Sequence, residues 1–192
     1  MPMTMLAQAQ PGLTRSLAAA PAWAKVAAVL AGTAVLAASA RITVPMWPVP
    51  MTMQTYALLV IGALYGSRLG AATVLAYLAE GAIGLPVFAA GGGLHHFFGT
   101  TGGFLLGFPL VAFLAGFFME RGWGRTLLGS AAGFTIAHLA VFVTGVPFLA
   151  GLIGWDKAIA LGFLPFVAGT VVKTGLAMAT YEVALRLPSR RG

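Results

Sequence analysis

IGLPVFAAGGGLHHFFGTTGG, residues 83–103, lies between two apolar segments and contains no Asp, Glu, Lys or Arg. Three consecutive glycines, Gly91 to Gly93, precede the paired histidines His95 and His96, and a second glycine pair follows at Gly102 and Gly103. Glycine lets the backbone turn freely and lets other groups approach it closely. In a chain destined for lipid, non-helical backbone is tolerated only where it is buried in protein or lines a wet cavity. We therefore read 83–103 as the wall of a binding cavity at one membrane face, with a plain connecting loop as the competing reading.

The composition makes lipid the solvent. Of 192 residues, 59% are hydrophobic and 8% charged, whereas soluble domains carry roughly 25% charged residues. So few charges cannot clothe a water-soluble surface of this size, and the chain reads as an integral membrane protein. There are no cysteines, which excludes disulfides, thiol catalysis and thiolate metal sites. The net charge of +7 does not argue for nucleic acid here, because the basic residues fall at the ends of apolar segments, where they set orientation. Residues 1–21 lack a basic start followed by a compact apolar run. They read as a flexible or interfacial lead-in rather than a cleaved signal peptide.

Working outward from 83–103, the pattern predicts an all-α polytopic protein with six transmembrane helices in one domain, residues 22–187, and a basic tail at 188–192. The first span covers about 22–40, with small residues four apart at Ala24, Ala28 and Gly32, and at Ala27, Ala31 and Val35. Such stripes let helices pack closely in lipid. ITVPMWPVPMTMQT, residues 42–55, has prolines at 45, 48 and 50, which forces extended chain up to about Met51. Trp47 within it suits a membrane–water boundary. The second span is set at about 51–65 and the third at 69–84; both are short for a ~30 Å apolar core. The fourth runs over about 103–119 and the fifth over 125–146. A loop is predicted at 147–157, and then a sixth span at 160–187, broken or bent near Pro165.

Six spans put both termini on one side. Arg15, Lys25, Arg68, Arg121, Arg125, Arg186, Arg190 and Arg191 then share that side, opposite Arg41 and Lys157. The bias places the termini in the cytoplasm of a cell with this chain in its inner membrane. The Gly/Pro-rich loops 41–50, 85–102 and 147–157 face outward, as in a protein that captures a solute from outside.

Lys173 is the sharpest chemical signal. A lysine mid-helix in a bilayer costs about 2.5–3.5 kcal/mol on insertion scales, so it should face a wet interior and find a partner. Thr170 lies three residues earlier on the same helical face. Glu80 is the one carboxylate set inside a span and Gln54 an amide near the start of another. Asp156 and Lys157 read as solvated, and Glu182 pairs with Arg186 at i+4. Adjacent His95 and His96 cannot converge on one metal from regular structure, and few acids are available to complete a shell, so no metal is assigned. His138 reads as a helix–helix contact. Lys173-Thr174 lacks the preceding glycine of a phosphate-binding loop, so the chain does not hydrolyse ATP itself. No nucleophile–base set is present, and transport or binding outranks catalysis.

VPMTMQT (49–55), GSRLG (66–70), GAIGLPVFAAGGG (81–93), GTTGGFLLGF (99–108) and PFVAGTVVK (165–173), with the less specific GWGR (122–125), resemble the BioY family, the biotin-capturing S components of energy-coupling factor (ECF) transporters. The resemblance implies a six-helix fold with biotin held near the outer face under two loops, no cofactor, and two kinds of partner: a transmembrane coupling protein and a pair of cytoplasmic ATPases. It implies coupling-protein contacts on the first span, where Ala24, Ala27, Ala28 and Ala31 match. The family's PFxxGDxxK motif is kept here except that Thr170 stands where the aspartate usually does; a threonine cannot supply a carboxylate to two ureido N–H groups. Biotin's rings need apolar walls and its ends need polar contacts. Trp47, Tyr56, Tyr77, Phe88 and the Gly91–Gly92 backbone are the candidate walls; Gln54, Thr170, Lys173 and Glu80 are the candidate polar contacts. A stand-alone facilitator or channel, working without ATPases, is the alternative.

Overall fold

The computed structural model describes residues 12–186; residues 1–11 of the lead-in and the 188–192 tail lie outside the described residues. Among the described residues the chain is helical, with one two-stranded hairpin. Helix α1 is Gly12–Ala19 and α2 is Ala22–Arg41. Strands β1 (Thr43–Val44) and β2 (Met51–Thr52) pair antiparallel, Thr43 opposite Thr52. Then come α3 (Gln54–Tyr65), α4 (Ser67–Ala82), the single-turn α5 (His95–Phe98), α6 (Gly102–Glu120), α7 (Leu127–Ile153), α8 (Trp155–Gly162) and α9 (Phe166–Arg186).

The second half of the lead-in is thus a helix, and it is tied down. Thr14 Oγ1 donates to the Leu64 carbonyl at 2.7 Å, fixing α1 against the end of α3. Between β1 and β2 the three prolines keep the chain extended, and the Trp47–Pro48 bond is cis. The α3–α4 turn is held from a distant helix: Glu120 accepts from the Ser67 N–H at 2.8 Å and from its hydroxyl at 2.7 Å. A carboxylate there satisfies a free N–H at the start of α4 and complements the helix dipole.

Helix α6 is central, packing against α7, α3 and α4. Its buried face includes Phe104, Leu105, Phe108, Val111, Ala112 and Ala115. Helices α2, α6 and α7 are long and apolar enough to cross a membrane, and α8 with α9, bent by 44°, makes a fourth candidate span. The break falls beside Pro165, as the proline predicts.

The predicted loop at 147–157 does not exist in that form. Helix α7 continues through Pro147 to Ile153, and α8 begins at Trp155. One missing hydrogen bond is tolerated in an apolar bundle, where neighbouring groups re-satisfy the backbone, and Leu149 and Ala150 beyond the proline are buried. Gly154, with φ +86°, ends the helix instead, since only glycine adopts that conformation freely. Asp156 and Lys157 are exposed in the first turn of α8.

Candidate functional site

Four helices and two loops enclose a cavity of about 300 Å³. One wall is a phenylalanine cluster drawn from three helices. Phe104 of α6 stacks on Phe166 of α9 at 6.3 Å between centroids, and Phe142 of α7 meets both edge-on. Such rings offer apolar area with defined geometry. The roof is the hairpin loop (Pro48, Val49, Pro50) and the 83–101 segment, which contributes Phe88, Ala89, Ala90, His95 and His96.

The roof is stitched across its two loops. Arg41, at the end of α2, donates to the Pro86 carbonyl, and Thr100 Oγ1 donates to the Pro48 carbonyl at 2.8 Å. Within the second loop, Phe88 and Gly91 form a two-bond bridge that closes only because Gly91 takes φ +119°. That bridge carries the buried Phe88 ring into the roof, edge-on to Tyr77 at 5.5 Å and to His96 at 5.4 Å. Among the described residues His96 Nε2 is buried with no hydrogen-bond partner. Burial, and then the charge of neighbouring His95, hold the His96 imidazole below its ordinary pKa, so it is neutral at physiological pH.

Lys173 lies on the cavity side of α9, buried. Its Nζ donates to the Thr52 carbonyl at 2.8 Å and to Thr55 Oγ1 at 3.2 Å. Both partners are neutral oxygens from the hairpin and the start of α3, and no carboxylate is among the described lining residues. The ammonium thus leaves one N–H uncommitted and has no counter-charge in the cavity. Thr170 lines the same wall.

Of the residues singled out in the sequence, the fold brings Lys173, Thr170, Gln54 and Phe88 to the cavity. Tyr77 stands behind Gln54. Gln54 Nε2 donates to Tyr77 Oη at 2.6 Å, and Tyr77 donates in turn to the Val87 carbonyl at 2.8 Å, which links the amide to the roof. Gly91 and Gly92 shape the roof without lining the cavity. Tyr56 faces α9 lower down, bonded to Thr180 at 2.9 Å. Glu80 is half-buried in the last turn of α4, away from the lining. Trp47 is 77% exposed on the outside of the hairpin loop, so it is no cavity wall: the proline-braced loop turns Val49 inward and the tryptophan out. Residues unforeseen in this role are His138, Thr55, Thr100, Phe104, Phe108, Phe142 and Phe166.

Comparison with known proteins fits this geometry to a family. The BioY family model matches residues 9–190. This chain belongs to the BioY family. It is 36% identical over 150 residues to the probable biotin transporter BioY of Pyrococcus horikoshii, covering 78% of this chain and 88% of that one. To the biotin transporter BioY of Thermotoga maritima it is 38% identical over 159 residues, 81% and 90% of the two chains. The crystal structure of the S-component for biotin from an ECF-type ABC transporter superposes with a TM-score of 0.71 at 26% identity, over 91% of this chain and 97% of that one. Membership in BioY makes this chain a transporter component rather than an enzyme, and the BioY-like segments quoted above, PFVAGTVVK and GLPVFAAGGG, are those that bring Lys173 and Phe88 to the cavity.

Proposed function

We propose that this chain is the substrate-capture (S) subunit of a biotin uptake transporter, binding biotin under the stitched roof and delivering it across the membrane. The observation that carries the reading is the roofed cavity with the buried, uncompensated Lys173 on its wall, in a chain of BioY membership. Phenylalanine walls suit the fused rings, and Lys173, Thr170, Gln54 and Thr55 supply polar contacts for the ends. Phe88 closes over the ligand, while Tyr77 positions Gln54.

On this reading α2, α3, α4, α6, α7 and the bent α8–α9 pair make six spans, with both termini cytoplasmic. The 12 residues of α3 reach only about 18 Å; the roof segments above it fill the remaining depth. Energy comes from partners, a transmembrane coupling protein and a pair of ATPases. The alanine stripe of α2 is available for the former: Ala27 and Ala31 are exposed, and Ala24 and Ala28 half-exposed.

Calorimetry of the detergent-purified chain is expected to show tight, one-to-one biotin binding and no comparable response to other water-soluble vitamins. An absence of heat with biotin would overturn the proposal. Uptake into proteoliposomes holding this chain alone would instead favour a stand-alone facilitator.

The roof stitch makes its own prediction. Thr100→Val deletes the bond to the Pro48 carbonyl while keeping the side-chain shape, and it should speed biotin release several-fold, about the effect of one lost hydrogen bond. Stopped-flow fluorescence of a chain in which Trp23, Trp123 and Trp155 are replaced by Phe, leaving Trp47 on the same loop as Pro48, reads the rate; an unchanged rate would mean that the two loops do not part at this seam.

A further inference from the structure

His138 sits in the middle of α7, 1% exposed, and lines the cavity. Its Nδ1 is 2.9 Å from Thr174 Oγ1, one residue beyond Lys173 on α9. That single contact decides where the ring proton resides. The Thr174 hydroxyl is buried, and His138 is its partner. Were Nδ1 to carry the hydrogen, the hydroxyl hydrogen would be left buried with no acceptor, a costly arrangement. The threonine therefore donates, Nδ1 accepts, and Nε2 bears the hydrogen. Among the described residues Nε2 has no partner.

Among the donors that the cavity presents without an acceptor are the Nε2–H of His138 and the third N–H of Lys173. Among the described residues no carboxylate lines the cavity to absorb them. We infer that His138 and Lys173 form a two-donor seat for an acceptor oxygen of the ligand, His138 serving as a ligand-binding residue. The inference rests on the biotin reading, and biotin offers two such acceptor groups, the ureido carbonyl and the carboxylate. Polar groups on the wall of one cavity fix a ligand's orientation where the remaining lining is apolar.

Two near-isosteres separate this role from a structural one. His138→Asn keeps an amide at the Nδ1 position, facing Thr174, whereas His138→Gln keeps a donor at the Nε2 position. Calorimetry with biotin should find His138→Phe and His138→Asn weakened about tenfold and His138→Gln close to the wild-type chain, with all melting temperatures measured in parallel. If Asn retains affinity and Gln does not, His138 serves only α7–α9 packing and the seat is overturned. A wild-type chain that ignores biotin overturns the functional reading itself. A wild-type chain that binds tightly, with Gln no better than Phe, overturns the seat alone. Repeating the Gln and Phe comparison with a biotin analogue whose side chain ends in a methyl group in place of the carboxylate, and with 2-thiobiotin, whose ureido oxygen is replaced by sulfur, identifies the seated oxygen. The Gln advantage vanishes with the analogue that lacks it; an advantage that persists undiminished with both analogues overturns the inference.

Discussion

Lys173→Ala is expected to weaken biotin binding by tenfold or more. The loss follows from what surrounds the ammonium. Hydrogen bonds from a charged donor contribute roughly 1.5–3 kcal/mol, which is about ten- to a hundredfold in affinity. Two of the three N–H groups already meet Thr52 and Thr55, so the third is held in a defined direction before any ligand arrives, and little ordering cost remains to be met on binding. Lys173→Met gives the companion measurement, since it keeps the length of the side chain without the charge. Equal losses in Ala and Met would assign the effect to the ammonium; a loss in Ala alone would assign it to packing. Unchanged affinity in both would remove Lys173 from the site.

Gly62→Ala is expected to destabilise the bundle more than most single methyl additions. Helix α3 crosses α6 at this glycine so closely that an added Cβ would stand 2.2 Å from the Ala112 carbonyl oxygen and 2.9 Å from its Cα. The obstacle is helical backbone, which cannot swing aside as a flexible side chain does. Overpacking of this kind costs typically about 1–3 kcal/mol, and here two helices must separate to relieve it. Small residues where helices touch are how membrane bundles gain their contact. Gly151→Ala is the control. It too is helical, but an added Cβ meets nothing within 4 Å, and alanine is the better helix former. Thermal unfolding in detergent should show a clear drop for Gly62→Ala and none for Gly151→Ala; equal melting temperatures would mean that the α3–α6 contact is looser than it is drawn.

What could be read from the sequence, and what could not, follows from contrast. Lys173 stood out because a charge in an apolar window has few explanations. The proline run at 45–50 and Pro165 were legible because proline acts on its own backbone whatever surrounds it. Pro147 misled for the complementary reason: its local effect is real, yet the apolar bundle absorbs it, and the break falls at Gly154. The phenylalanine wall was silent, since Phe104, Phe108, Phe142 and Phe166 are apolar residues in a chain that is apolar throughout. The one available hint was the four-residue spacing of Phe104 and Phe108 just after the 99–103 turn, which sets both on one helical face. Trp47 and Tyr56 show the converse. An aromatic ring on a candidate segment carries no mark of which way it points. His138 reads as a helix–helix contact, and it does meet Thr174; a single helix cannot reveal that the residue also lines a cavity.

The chamber is fastened by side chains reaching for main-chain oxygens: Arg41 to Pro86, Thr100 to Pro48, Lys173 to Thr52. A peptide oxygen persists whatever residue bears it, so each of these fastenings depends on the chemical identity of only one of its two positions. The burden of inheritance is therefore one-sided. Drift at the receiving positions leaves each clasp an oxygen to grip, whereas a change at 41, 100 or 173 that deletes the side-chain donor removes that clasp.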